Sequence, residues 1–235
     1  MTLYISLIGT ILGLIIGLIL GVVRTIPQPD KGVKRSILKM SHFISTIYIE
    51  FFRGTPMIVQ AMVFYYGSAI AFGWDLNRIA AAIFIVSINT GAYITEIVRG
   101  GIISIDKGQF EGAEAIGMTH WQSMRIVVMP QVLRNILPAV GNEFVINIKD
   151  TSVLNVISVT ELFFQAKTVA GVNFDYFGPF TVACILYLIM TFTVTTILRT
   201  IEKKLDGPKT YQMIGGNPSQ VINVDKAVTF KEVEK

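Results

Sequence analysis

From Leu3 to Val23 the chain is an almost uninterrupted apolar run, and a run of that length has few options in water. As a helix rising about 1.5 Å per residue it would extend ~30 Å, the thickness of a bilayer's hydrocarbon core. Gly9, Gly13, Gly17 and Gly21 recur at every fourth position, giving one face a small-residue stripe that suits close approach of another membrane helix. A cleavable secretory signal would carry its positive charge before the apolar run. Here none precedes it and Arg24 follows, an order that favours an anchor with its N-terminus outside.

Four more apolar stretches follow, at about residues 57–74, 79–98, 136–159 and 177–198. The predicted fold class is therefore all-α integral membrane, with five transmembrane helices in a domain over residues 1–204 and a polar C-terminal tail over 205–235. Composition agrees: 52% hydrophobic residues, 15% charged and a mean hydropathy of +0.58 exclude an ordinary soluble domain. Gly-Pro, Gly-Gly and Asn-Pro breaks mark the tail from Asp206 as flexible or peripherally packed.

The basic residues set the topology. Of the 20 Lys and Arg, six lie between the first two spans (Arg24 to Arg53), four in or beside the stretch between spans three and four, and seven from Arg199 onward. Cytoplasmic connections carry such an excess, so the reading is a multi-pass protein of the cell membrane with its C-terminus in the cytoplasm. The net charge of +4 and pI near 9.1 follow from that topology. The cations fall between apolar spans instead of forming one face, so membrane lipid is an expected partner and nucleic acid is not. Within FFRGTP, Thr55 is expected to cap the second span and Pro56 to occupy its first helical position. The one cysteine, Cys184, permits no disulfide or cysteine metal site within the chain and reads as a small packing residue.

Between spans three and four lies a polar stretch, Gly108 to Pro130, GQFEGAEAIGMTHWQSMRIVVMP. Gln109 to Ile116 favours helix, and Gly117 suits the left-handed C-terminal position. Thr119 and Gln122 then have the spacing of a capping box. The second helix places Trp121, Met124 and Val128 on one apolar face, and Pro130 is expected to limit it. Such a pair needs something to pack against, either the lipid surface or a partner protein.

Polar residues also occur at membrane depth. Asn89, Tyr93 and Glu96 share one face of span three; Glu143, Asn147 and Asp150 have similar spacing in span four, with Lys149, Thr151 and Ser152 adjoining. An ionised group at mid-membrane costs about 2.5–3.5 kcal/mol, so these side chains should face protein or water, and they are the candidate substrate residues. The alternatives are a structural ion network at Lys149 and Asp150, and an i,i+3 pair between Glu96 and Arg99 near the end of its span.

The 108–130 stretch resembles the E-A-A, Gly, I-x-L-P motif of ABC importer membrane subunits: Glu111, Gly112 and Ala113, then Gly117, then Val127, Val128, Met129 and Pro130. Gly112, Val127 and Met129 depart from that pattern conservatively. FRGTP, GAYITEIVRGGI (91–102) and KDTSVLNVISVTELFFQA (149–166) resemble the polar amino acid permeases of the histidine and glutamine type, and the likeness runs from about Leu3 to Lys204. The resemblance implies the type I importer permease fold, with the 108–130 stretch as a coupling loop inserted in a cleft of the ATPase. Its contacts would come from Glu111, Ala113, Gly117, Thr119, His120, Trp121, Met124, Arg125 and Pro130. It also implies a second permease, identical or similar, an ATPase dimer holding the ATP and Mg, and an external solute-binding protein delivering one amino acid. Glu96 and Asp150 tilt the expected substrate toward cationic side chains.

The chain has no G-x-x-x-x-G-K-[ST] phosphate loop, so no cofactor is expected on it and ATP hydrolysis belongs to a partner. It also lacks H-E-x-x-H and G-x-S-x-G, and its two histidines, His42 and His120, fall in predicted cytoplasmic segments. Rival classes are an ion-coupled secondary carrier, which would show paired repeats and interrupted helices, and a membrane enzyme using Glu96 or Asp150 as acid or base.

Overall fold

The computed structural model describes residues 1–27 and 31–205, together with two short strands, Gln212–Met213 and Val221–Ile222. Helices α1 (Thr2–Thr25), α2 (Val33–Gly54), α3 (Met57–Phe72) and α4 (Arg78–Ile103) come first. The short α5 (Lys107–Ala115) and α6 (His120–Gln122) lead through a π-helical segment (Ser123–Val128) into α7 (Met129–Asp150). A 3₁₀ segment (Thr151–Ile157), α8 (Leu162–Asn173) and α9 (Phe177–Leu205) complete the series.

The glycine stripe of α1 packs on α4. Gly9 faces Val86, Gly13 faces Thr90, Gly17 faces Ile94 and Gly21 faces Val98, so the two helices run parallel and in register. A Cβ at Gly17 would lie 2.5 Å from Ile94 Cγ2, and one at Gly9 2.5 Å from Val86 Cγ1. Only glycine permits this approach, and van der Waals contact along the seam replaces the hydrophobic drive that lipid cannot supply.

Parallel packing of α1 and α4 requires the intervening chain to cross the layer once. It does so as a broken span: α2 and α3 meet at an angle of 110°. This corrects two expectations. Residues 24–53 are not merely a cytoplasmic connection, because they contain the 22-residue α2, and 57–74 is not a complete span, because α3 has 16 residues. Lys34, Arg35 and Lys39 in the first turns of α2 obscured the apolar run that follows them. α7 then returns antiparallel to α4, since Ile136 packs at Gly101 while Asn147 bonds to Thr90. α9 reverses again: its Leu198 lies at Gly141 and its Tyr187 donates to Glu161. Five passes result. Among the described residues three helices, α1, α4 and α9, are long and apolar enough to span alone, and the bent pair makes a fourth span; α7 is too polar to register by composition.

Two buried clusters hold the bundle. One joins Ile5, Ile85 and Val86 to Leu154, Ile157 and Val159. The other joins Ile94, Val98 and Ile102 to Met124, Val128, Val132 and Ile136. The expected span 136–159 divides at Asp150, where the 3₁₀ turns begin and end in Ser158 at φ 57°. The expected external connection after it contains α8, whose N-cap Glu161 accepts from the Phe163 and Phe164 amides and is 2% exposed. Cys184 is exposed on α9, contrary to the expectation of a small packing residue.

The chain divides into two compact units, Met1–Leu198 and Arg199–Lys235. In the second, Gln212–Met213 pairs antiparallel with Val221–Ile222. The rest of the tail, and with it the expectation that it is flexible or peripherally packed, lies outside the described residues.

Candidate functional site

The break between α2 and α3 forms one wall of a cavity. Thr55 is extended at φ −124°, as a residue before proline must be, and it ends α2. Its hydroxyl donates to the Phe51 carbonyl and does not cap α3, whose N-cap is Pro56 with no side-chain hydrogen bond; the expected roles of both residues shift accordingly. Gln60, 2% exposed, repairs the break from the next turn: Nε2 donates to the carbonyls of Phe52 at 3.0 Å and Thr55 at 2.9 Å. Asn89 of α4 donates to Gln60 Oε1 at 2.9 Å, fixing the bend against the straight helix.

Asn89 and Tyr93 of one predicted polar face and Glu143, Asn147 and Asp150 of the other come together here with Thr55, around a cavity of about 290 Å³. Pro56, Met57 and Ile146 supply its apolar wall. Glu143 and Asp150 stand two turns apart on α7, ~10 Å along the axis. The cavity therefore offers carboxylates, amides and hydroxyls on one side of an apolar pocket, a donor set suited to a small polar ligand bearing an ammonium.

Asn147 has a second task. It is 4% exposed, and its Nδ2 lies 2.8 Å from Thr10 Oγ1 and 2.9 Å from Thr90 Oγ1, so it ties α1, α4 and α7 together. Thr10 and Thr90 carried no sequence signal beyond lying beside the glycine seam.

The remaining polar candidates separate. Glu96 is held by Arg24 at 2.6 Å and by Arg99 at 2.8 Å, outside the cavity. The i,i+3 alternative thus describes its geometry, with Arg24 added. Lys149 is exposed, Asp150 is half-buried, and neither has an ion pair among the described residues. Thr151 is buried and donates to the Ile148 carbonyl; Ser152 is half-buried and its carbonyl accepts from Asn155.

The 108–130 loop has the expected joint. Gly117 adopts φ 79°; its amide donates to Glu114 and the Met118 amide donates to Ala113, the paired bonds of a Schellman ending. Thr119 and Gln122 form both bonds of the capping box. Two expectations fail. Pro130 does not limit the second helix: the wider π turns, with the Met129 amide donating to Met124, absorb the proline and carry the chain into α7. Those wider turns also separate Trp121, 68% exposed, from Met124 and Val128, which are buried against α4. Ala113 is buried as well, whereas Glu111, Gly117, Thr119, His120, Arg125 and Pro130 are exposed. Ile116, Trp121 and Ile126 give this outer surface an apolar component that nothing among the described residues covers.

A model of the binding-protein-dependent transport system inner membrane component matches residues 35–207. The chain belongs to that family. It is 38% identical over 167 residues to the glutamine transport system permease protein GlnP of Escherichia coli K12, covering 71% of this chain and 76% of that one. It is 33% identical over 179 residues to the arginine transport system permease protein ArtQ of Bacillus subtilis 168, covering 74% and 82%. A crystal structure of an amino acid ABC transporter with histidines aligns with a TM-score of 0.76 at 34% identity, over 87% of this chain and 90% of that chain. The fold is that of an ABC importer permease. The chain is accordingly a multi-pass inner-membrane transport subunit and not an enzyme; ATP hydrolysis belongs to a separate subunit. Nothing in these relationships favours a secondary carrier.

Proposed function

We propose that the chain is the permease subunit of an ATP-driven importer of a polar amino acid, with the Asn89–Tyr93–Glu143–Asp150 cavity as its membrane substrate site. One observation carries the reading: in a permease related to glutamine and arginine systems, the predicted polar faces of α4 and α7 meet at one cavity beside a broken span. Broken spans and ionisable residues at membrane depth are characteristic of transport sites. The N-terminus is outside and the C-terminus cytoplasmic, which puts the 108–130 loop beside the ATPases. The loop's exposed Ile116, Trp121 and Ile126 dock there, its buried Met124 and Val128 pass the motion to α4, and two permeases rock between inward and outward states. For ATP to drive this, the substrate must bind the two states with different free energy.

Uptake of labelled glutamine, arginine, histidine, lysine and glutamate into proteoliposomes tests the reading, with the complete transporter in the membrane, the binding protein outside and ATP inside. Accumulation of one or more that stops without internal ATP supports it. Uptake that survives ATP depletion and collapses with an ionophore contradicts it.

A further inference from the structure

Arg53 lies in the last turn of α2, at the break where the chain turns into α3. Its guanidinium carbon is 5.5 Å from the centre of the Tyr93 ring, and it has no ion pair among the described residues. Arg53 is exposed in the single chain, yet Tyr93 stands ~22 Å along α4 from Arg78, well inside the span. A guanidinium at that depth must face protein or water and find an anion to meet. Its contact with the ring face holds it in place, Glu96 and Glu143 are near enough to feel its charge, and no hydrogen bond or ion pair among the described residues occupies its N–H donors.

Tyr93 links the two: it carries Arg53 on its ring and also lines the cavity, whose charged lining consists of Glu143 and Asp150 with no cation, and Arg53 lies near enough to Glu143 to act on its charge. Two carboxylates alone would select a diamine. An amino acid also brings a carboxylate, which must be satisfied once it leaves water, and the guanidinium fork matches that group with two parallel hydrogen bonds.

On the amino-acid reading of the cavity, we infer that Arg53 anchors the α-carboxylate of the transported amino acid at the cavity mouth, positioned by Tyr93, while Glu143 and Asp150 take the ammonium end. Arg53 thereby becomes the residue that distinguishes an amino acid from an amine of the same shape.

The test is equilibrium binding to the complete transporter in nanodiscs without binding protein, using L-arginine, L-histidine and L-glutamine, each against its α-amide. The amide keeps shape and ammonium but loses the carboxylate charge. The wild type should prefer at least one acid over its amide by roughly tenfold or more, the scale of one charge-assisted hydrogen-bonded pair. Arg53→Gln should remove that preference by weakening the acid alone, Arg53→Lys should keep part of it, and Tyr93→Leu should reduce it. Unchanged preference in Arg53→Gln overturns the assignment and gives the carboxylate to another group, such as the first amides of α3. Should Arg53→Gln fail to assemble, an unchanged preference in Arg53→Lys and Tyr93→Leu overturns it too. If the wild type binds none of the acids, the amino-acid reading of the cavity falls and the role of Arg53 falls with it.

Discussion

Arg24, in the last turn of α1, donates to Glu96 of α4 at 2.6 Å, closing the glycine seam at the C-terminal end of α1. Arg99 grips the other carboxylate oxygen at 2.8 Å. Glu96 is therefore a clasp between helices and a poor ligand for a passing substrate.

Glu96→Gln should lower the thermal stability of the assembled transporter by about 1.5–3 kcal/mol, the range for hydrogen bonds to charged groups. Both partners are about one-fifth exposed, so the lower half of that range is expected. Substrate selectivity should not change. A stable variant with altered selectivity would return Glu96 to the transport path.

At the seam itself, Gly17→Val places carbon 2.5 Å from Ile94 Cγ2. The helices must separate, with a loss of about 1–3 kcal/mol or more typical of overpacking. Gly112→Ala is the matched control, because a Cβ there meets nothing within 4 Å and alanine favours helix by up to ~1 kcal/mol. Thermal unfolding of the two variants should move in opposite directions.

Gly117→Val probes the loop's joint. There is open space around this glycine, so the penalty is purely conformational: φ 79° is worth about 1–2 kcal/mol of strain for a residue with a Cβ. Stimulated ATPase should fall, while Gly117→Asn, which tolerates the left-handed region, should keep most of it. Normal stimulation in the valine variant would remove the joint from the coupling path.

Trp121→Ala removes a side chain that is 68% exposed, so stability should change by less than ~0.5 kcal/mol. If Trp121 docks in the ATPase, capture of the ATPase should weaken by at least ~30-fold, the size of an aromatic hot spot. Unaltered capture would assign docking to other exposed groups.

Local signals read well where one residue type has one physical use. The glycine stripe announced a close helix contact, Gly117 a left-handed joint, and Thr119 with Gln122 a capping box; all three are in the structure. Signals that depend on what lies across the bundle did not read. Nothing adjacent to Glu96 in sequence points to Arg24, which is contributed by another helix. The helical face of Trp121 was drawn at 3.6 residues per turn, and the π turns that begin at Ser123 break that period. α2 was hidden because its cations and its apolar run share one helix. Gln60 gave a faint signal, an amide four residues after Pro56 in an apolar span, and it repairs the break. Arg53 was counted as topological charge, and only the folded chain brings it to Tyr93.

The most direct measurement is amino-acid-stimulated ATP hydrolysis by the complete transporter in proteoliposomes with its binding protein, comparing the wild type with Asp150→Asn after both are shown to assemble. Linkage between the membrane cavity and the 108–130 loop predicts strong stimulation by the transported amino acid in the wild type and its loss when the Asp150 carboxylate becomes an amide. Stimulation of wild-type size in Asp150→Asn would place the substrate elsewhere and contradict the account.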